Sequence, residues 1–398
     1  MKTDELLYAG SLGVQRMEAS PIRVILDRAA ALRAAGHTVI SFSAGEPDFS
    51  TPEPIKRAAI RALEQNYTHY GSNRGNPALR RLLAEHFARR QGVAYDPETE
   101  VLITCGGAEA INNALLAVLD PGDEVLLPSP AFVSYKNLAR FAGATVVDIP
   151  LPPERGFQPD PAEIERRITD RTKLLILNNP NNPTGAVYGR DTLAALADIA
   201  VRRHLLVFSD EMYSSLVYGD AVFTSMAAFP GMKERTILVN GFSKTYAMTG
   251  WRIGYLMADA RLVGAILRVH QYSTTCSPTF IQQGLAESLC LPQTRAAVQG
   301  MHRMLAGRRK AMLAGLNGIA RLACIPTDGA FYVMVDVSAT GLDGQTFATR
   351  LLEEKDVATV PAIGLGAHCG NFIRISYAAS DADIAEGLRR IAAFTDSL

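Results

Sequence analysis

Lys244 lies in the run NGFSKTYAMTGWRIGY, between Asn240 and Tyr255, with Arg252 eight residues beyond it. Lysines are mostly solvated surface groups, but the neighbours of this one are small or apolar. At the carboxyl end of a strand, beside Gly241, Ser243 and Ala247, its ammonium is partly desolvated and close to a second cation. Both effects lower an amine's pKa from about 10.4 and favour the neutral nucleophile. Such an amine condenses with an aldehyde to give an imine. The fork of Arg252 matches phosphate oxygens. An aldehyde that also carries a phosphate would use both groups, and pyridoxal phosphate (PLP) is such a cofactor.

Four further places offer matching chemistry. Asp210 ends the apolar run LLVFS. Either it caps the turn that EMYSSL begins, or it pairs as an anion with a pyridinium nitrogen and keeps the ring an electron acceptor. Tyr213, three residues on, either packs or hydrogen-bonds the ring's phenolic oxygen. NNPNNPTG, from Asn178 to Gly185, is a turn by composition, and Asn182 offers an amide there for a cofactor oxygen or a substrate carboxylate. TCGGAEA, from Thr104, sets two glycines before a helical pattern whose free N–H groups could hold an anion. Arg374 stands amid apolar residues in NFIRISYA. A buried guanidinium needs an anion. That anion is either an internal acid or a substrate's α-carboxylate, a charge-assisted contact worth roughly 1.5–3 kcal/mol.

Short apolar runs recur between residues 100 and 257: VLIT, EVLLP, TVVDIP, KLLILN, LLVFSD, TILVN and RIGYLM. They predict strands buried on both faces. Helical patterns alternate with them, such as DTLAALADIAVRRH with Leu193, Leu196, Ala197, Ile199 and Ala200 near one face. The alternation predicts βαβ units and a mostly parallel sheet flanked by helices, an α/β fold. Ligands of such sheets bind beyond the carboxyl ends of the strands. That rule gathers TCGGAE, NNPNNPTG, SDEMY and NGFSK at one edge. Residues 1–50 and 291–398 carry helices, GAFYVMVDV and NFIRISYA, and are expected to form a smaller α+β domain from both termini, leaving 51–290 as the large one.

The 398 residues are 48% hydrophobic and 20% charged, and Lys plus Arg (40) balances Asp plus Glu (40). A zero net charge argues against nucleic acid or an anionic membrane as partner. Five scattered cysteines without a CxxC spacing fit reduced thiols rather than a disulfide framework or a zinc site. The start, MKTDELLYAG, lacks the basic and apolar regions of a signal peptide, and no apolar run approaches the ~20 residues of a membrane span. A cytoplasmic protein is expected. No GxGxxG follows an early strand, so a dinucleotide-binding dehydrogenase is disfavoured.

Taken together, GFSKTYAMTGWRIG, SAGEPDF, TCGGAEA, NNPNNPTG, SDEMY and NFIRISYA resemble the class I/II aminotransferases of PLP fold type I, over about residues 10 to 395. Within that family the chain is similar to the bacterial aspartate/prephenate branch. The resemblance implies Lys244 as the Schiff-base lysine and proton shuttle, Asp210 at the pyridine nitrogen, and Tyr213 and Asn182 at the phenolic oxygen. Phe132 in SPAFVSY would stack on the ring. Gly107, Ala108 and Glu109 would offer backbone amides to the phosphate, with Ser243 and Arg252. Tyr70 in THYGSNRG would reach the site of a partner subunit, which implies a homodimer, and Gly45 and Arg374 would hold the substrate carboxylate.

The implied activity is ping-pong transfer of an amino group from an L-amino acid to a 2-oxo acid such as 2-oxoglutarate or pyruvate. A PLP-dependent lyase on the same fold is the alternative, and a ligand-sensing regulator domain a distant third. The chain departs from the branch at three points. Phe132 replaces a tryptophan, Ala362 in VPAIG replaces a glycine, and Ala108 stands where aspartate-specific members carry a lysine for the distal carboxylate. Aspartate, aromatic and neutral donors all stay open.

Overall fold

The computed structural model describes residues 10–18 and 21–398; residues 1–9, 19 and 20, and with them most of the expected signal-free N-terminus and part of the 1–50 arm, lie outside the described residues. After helix Pro21–Ala34 the chain forms a short strand, β1 (Ile40–Ser41). All seven apolar runs then become strands: β2 (Val101–Thr104), β3 (Glu124–Ser129), β4 (Thr145–Pro150), β5 (Thr172–Asn178), β6 (Leu206–Asp210), β7 (Thr236–Gly241) and β8 (Gly254–Met257). They make one sheet in the order β2-β8-β7-β6-β5-β3-β4. It is mostly parallel, but β8 runs antiparallel to both of its neighbours.

Side chains alternate across a pleated strand, and the two faces of this sheet feed separate cores. Leu102, Ile237, Val239 and Leu256 face the helices Gly107–Val118 and Ala260–Ser273. Val101, Ile103, Leu238 and Met257 face helices Pro77–Gln91 and Thr279–Ser288. Helix Arg190–Arg202 buries the five residues its pattern marks, Leu193, Leu196, Ala197, Ile199 and Ala200. The expectation of strands buried on both faces fails at β4, where only Ile149 is buried. Its apolar run occupies a sheet edge, where one flank and part of each face meet solvent.

The second body of sheet comprises β9 (Ala323–Cys324), β10 (Tyr332–Asp336), β11 (Val357–Ala358), β12 (Val360–Pro361) and β13 (Phe372–Ser376). Four of these form an antiparallel sheet in the order β12-β13-β10-β9, and β1 pairs in parallel with β11. Residues after β1 stay on this scaffold: the Ser376 N–H donates to the Phe42 carbonyl at 2.8 Å. Arg308, on the long helix Pro292–Asn317, binds both Asp48 carboxylate oxygens, at 2.6 and 3.0 Å. The segment SAGEPDF is thus held by carboxyl-terminal elements.

Helices Glu53–Glu64 and Thr279–Ser288 touch backbone to backbone: a Cβ on Gly284 would sit 2.8 Å from the Ala59 nitrogen. Neither helix can yield by moving a side chain. Gly284→Ala is expected to destabilise the protein by about 1–3 kcal/mol, the usual result of overpacking. A urea midpoint equal to that of the parent protein would show that the helices separate freely.

Candidate active site

The parallel strands β2, β5, β6 and β7 end at one edge of the sheet, and β8, being reversed, begins there. This geometry brings Gly107, Ala108, Asn182, Asp210, Ser243, Lys244 and Arg252 around a cavity of about 270 Å³. Phe132, Tyr213, Gly45 and Arg374 complete it, together with Ile22, Ile111, Tyr135, Asn178, Met212 and Tyr332, which sequence reasoning did not single out. Glu109 stands one residue behind the lining, and Tyr70 is outside it altogether, 87% exposed.

Asp210 is buried, and its two oxygens have separate duties. The Met212 N–H donates to Oδ1 at 3.0 Å, which is the turn-capping role. The Tyr135 hydroxyl donates to Oδ2 at 2.7 Å. Burial pushes this carboxyl above its ordinary range, while those two hydrogen bonds and the Lys244 charge pull it back. Tyr135 was detectable in SPAFVSY: it lies three residues after Phe132, on the same helical face, and the two rings meet edge to face at 5.7 Å.

Lys244 Nζ donates to the Gly45 carbonyl at 2.6 Å. Burial lowers its amine to about 8, with Arg252 and Arg374 pushing the same way and Glu46 and Asp210 opposing. Arg374 is 1% exposed. Its Nη1 donates to Asn182 Oδ1 at 3.2 Å and its Nη2 to the Ser43 carbonyl at 2.8 Å. Its guanidinium lies 4.5 Å over the Tyr332 ring, and its Nε is buried with no partner. Among the described residues it has no carboxylate partner, so the internal ion pair is absent. Tyr213 and Tyr332 share a hydroxyl–hydroxyl contact of 2.9 Å.

The glycine loop is built for close approach. Gly106 has φ of +82°, open to glycine at little cost, and a Cβ there would lie 2.8 Å from Arg252 Nη2. A Cβ on Gly254 would lie 2.9 Å from the Gly106 carbonyl carbon. Helix Gly107–Val118 starts here, its first N–H groups unspent. The Glu109 carboxylate receives the Cys105 N–H at 2.5 Å and Asn113 Nδ2 at 2.8 Å. Thr274 Oγ1 adds a contact of 2.9 Å and the buried His270 Nδ1 one of 2.7 Å. Helix start, Arg252 and the buried Ser243 together suit a dianion, and a depressed amine facing a buried acid suits an aldehyde on a basic ring.

Comparison with known proteins agrees. The model of the family "aminotransferase class I and II" matches residues 37–391. The aspartate/prephenate aminotransferase of Thermus thermophilus is 42% identical over 380 residues, 95% of this chain and 97% of the relative. The aromatic-amino-acid aminotransferase 2 of Thermococcus litoralis is 39% identical over 378 residues, 95% of this chain and 96% of the relative. The structure of the Thermus thermophilus aspartate aminotransferase with maleate superposes with a TM-score of 0.92 at 41% identity, covering 96% of this chain and 99% of the other. The chain belongs to the class I and II aminotransferases.

It is a PLP-dependent aminotransferase of fold type I, and the lyase alternative draws no support from these relatives. The fit of its residues to the cofactor follows from the desolvated amine of Lys244, the buried Asp210 and the glycine cradle. Glu109→Gln removes the charge that organises Cys105, Asn113, Thr274 and His270 around the loop. It is expected to weaken PLP retention about ten-fold, the loss of one charge-assisted hydrogen bond. Equilibrium dialysis giving the parent affinity would show that the carboxylate does not set the loop.

Proposed function

We propose that this aminotransferase holds PLP with Lys244 at the aldehyde, Asp210 at the pyridine nitrogen, Asn182 and Tyr213 at the phenolic oxygen and Phe132 against the ring. The phosphate would rest on the N–H groups of Gly107, Ala108 and Glu109, with Ser243 and Arg252. What carries the assignment is a single cavity that joins a depressed amine, a buried acid and a buried guanidinium without a carboxylate partner among the described residues.

Bound PLP supplies an aldehyde and a ring that takes up the electrons of a cleaved Cα–H bond. The chain does the rest. With an amine near 8, roughly a quarter of Lys244 is neutral at pH 7.5, against about one part in a thousand for an ordinary lysine. It can therefore accept the α-proton and deliver it elsewhere. Arg374 binds the α-carboxylate through the N–H groups that Asn182 and Ser43 leave unengaged, with Gly45 beside it, and so fixes which substrate carbon faces the lysine. Across the two half-reactions the donor's Cα gives up an amino group and two electrons, and the acceptor's carbonyl carbon receives both. No further oxidant or reductant is needed.

We also read the protein as a homodimer with Tyr70 reaching the partner's site. In support, Tyr70, Tyr67 and Leu63 are exposed around a groove of about 840 Å³ that meets the glycine loop at Cys105. Five unpaired cysteines support a cytoplasmic location, and no helix among the described residues is long and apolar enough to cross a membrane. Residues 51–290 form the cofactor-holding domain in this reading, with 1–50 and 291–398 as the smaller one; the pairing of β1 with β11 supports it.

Lys244→Ala is expected to lose more than roughly 10³-fold in turnover and to escape reductive fixation of PLP by borohydride; a normal rate sinks the assignment. Arg374→Ala should raise KM for every α-carboxylate substrate roughly ten- to a hundred-fold, and an unchanged KM removes it from the site. Because only the neutral amine reacts, the rate at which cofactor-free enzyme captures PLP should climb with pH and level off above about 8. Capture that is flat between pH 6.5 and 8.5, followed by visible absorbance, contradicts the depressed amine.

A further inference from the structure

Besides the cofactor site, a second cavity of about 380 Å³ opens at the ends of β6 and β7, on the face of the sheet that carries helix Pro77–Gln91. It shares no lining residue with the cofactor cavity or with the groove beside Tyr70. We infer that it is a binding site for an aromatic carboxylate that also carries a hydroxyl group, separate from the site of transamination.

Glu211 supplies the acceptor for the hydroxyl. It follows Asp210 directly, and successive side chains leave a strand on opposite faces, so that Asp210 lines the cofactor cavity and Glu211 this one. Glu211 is 1% exposed. Its Oε1 accepts from the Ser209 hydroxyl at 3.0 Å and the Ser225 hydroxyl at 2.6 Å, while its Oε2 is buried with no partner. An unanswered carboxylate oxygen at that depth costs free energy that an O–H of a ligand would return. Phe87, Phe242, Tyr255 and Leu289 form the buried wall, which suits a flat apolar body. The cations stand at the exposed rim. Arg90 reaches only the Ser215 hydroxyl, at 3.3 Å, and Arg295 has no side-chain partner among the described residues. Arg295 also belongs to the first turn of helix Pro292–Asn317, the end at which a helix disfavours a cation, so its own helix gives no reason for the charge. Burial dominates the raised Tyr246 and Tyr255 hydroxyls, yet Arg90 and Arg295 act on the first, and Arg90 and Glu211 on the second. The three charges therefore share one space, with guanidinium forks for a carboxylate at the rim and a free oxygen for a donor within.

Cys290 is exposed and lines the same cavity, so its alkylation reports occupancy there and not at the cofactor. The PLP-loaded enzyme is treated with iodoacetamide, with 4-hydroxyphenylacetate as the probe, and the modified Cys290 peptide is followed by mass spectrometry. About 5 mM probe should slow alkylation of Cys290 at least about five-fold. The neutral 4-hydroxyphenylacetamide, alike in size but without the charge, should leave the rate unchanged. Phenylacetate, without the hydroxyl, should need about three-fold more for equal protection, the loss of one hydrogen bond. The double variant Arg90→Gln, Arg295→Gln should keep the parent's turnover, which shows that it is folded, and need about ten-fold more probe. Cys290 that stays unprotected overturns the inference, and so does an amide that protects as well as the acid. Protection by phenylacetate equal to that by the hydroxylated probe refutes Glu211 as an anchor, and undiminished protection in the double variant refutes the arginines.

Discussion

A guanidinium buried without a counter-anion is the constraint around which this molecule is arranged. Arginine cannot shed its charge to escape burial, even though burial presses the Arg374 pKa downward. The chain compensates with dipoles and a ring face: the Asn182 amide oxygen, the Ser43 carbonyl and the Tyr332 π-cloud. Those three partners come from the loop after β5, the segment after β1 and the strand β10 beside it. A single side chain thus draws the large sheet, the amino-terminal segment and the carboxyl-terminal sheet to one point. The N–H groups that Asn182 and Ser43 leave unengaged are the part of that charge left for a substrate.

A second constraint is the direction of β8. Gly241 at the end of β7 is in register with Gly254 at the start of β8. The connection carrying Lys244 and Arg252 therefore leaves and returns at the same sheet edge. Had β8 run parallel to β7, Arg252 would lie at the far edge, four strand residues or about 13 Å away, and the amine and the anion site would be parted. The reversal also brings Gly254 against Gly106, so that the strand and the loop it steadies are close enough only for glycine.

The strands were legible because burial on two faces leaves an unmistakable run of apolar residues, and the ligand edge followed from the parallel pattern. The direction of β8 was not legible, since GYLM has the same composition whichever way it runs. Lys244, Asp210 and Arg374 stood out for one reason: each is a charge where its neighbours demand none. Tyr332 and Ile22 escaped notice because aromatic and aliphatic residues in apolar surroundings carry no such contradiction, and the hydroxyl partners of Tyr135 and Tyr332 lie 75 and 119 residues away. Glu109 was read for its backbone alone; its side-chain network with His270 spans 161 residues and leaves no local trace.

Burial works against the charge of both Lys244 and Asp210, and the two differ in what each is given in return. Desolvation disfavours either charged form. Burial raises the Asp210 carboxyl, and two donors, the Tyr135 hydroxyl and the Met212 N–H, offset part of that rise. Lys244 receives one carbonyl acceptor, from Gly45, but also two guanidinium neighbours, and its amine falls from 10.5 to about 8. That drop corresponds to roughly 3 kcal/mol against the ammonium, more than the 0.5–1.5 kcal/mol or so that a single hydrogen bond returns. The site therefore sets an acid whose anion is supported by two donors beside an amine brought close to neutral pH. The Arg374 charge that costs the fold its desolvation is, from the side of Lys244, one of the reasons the amine can react.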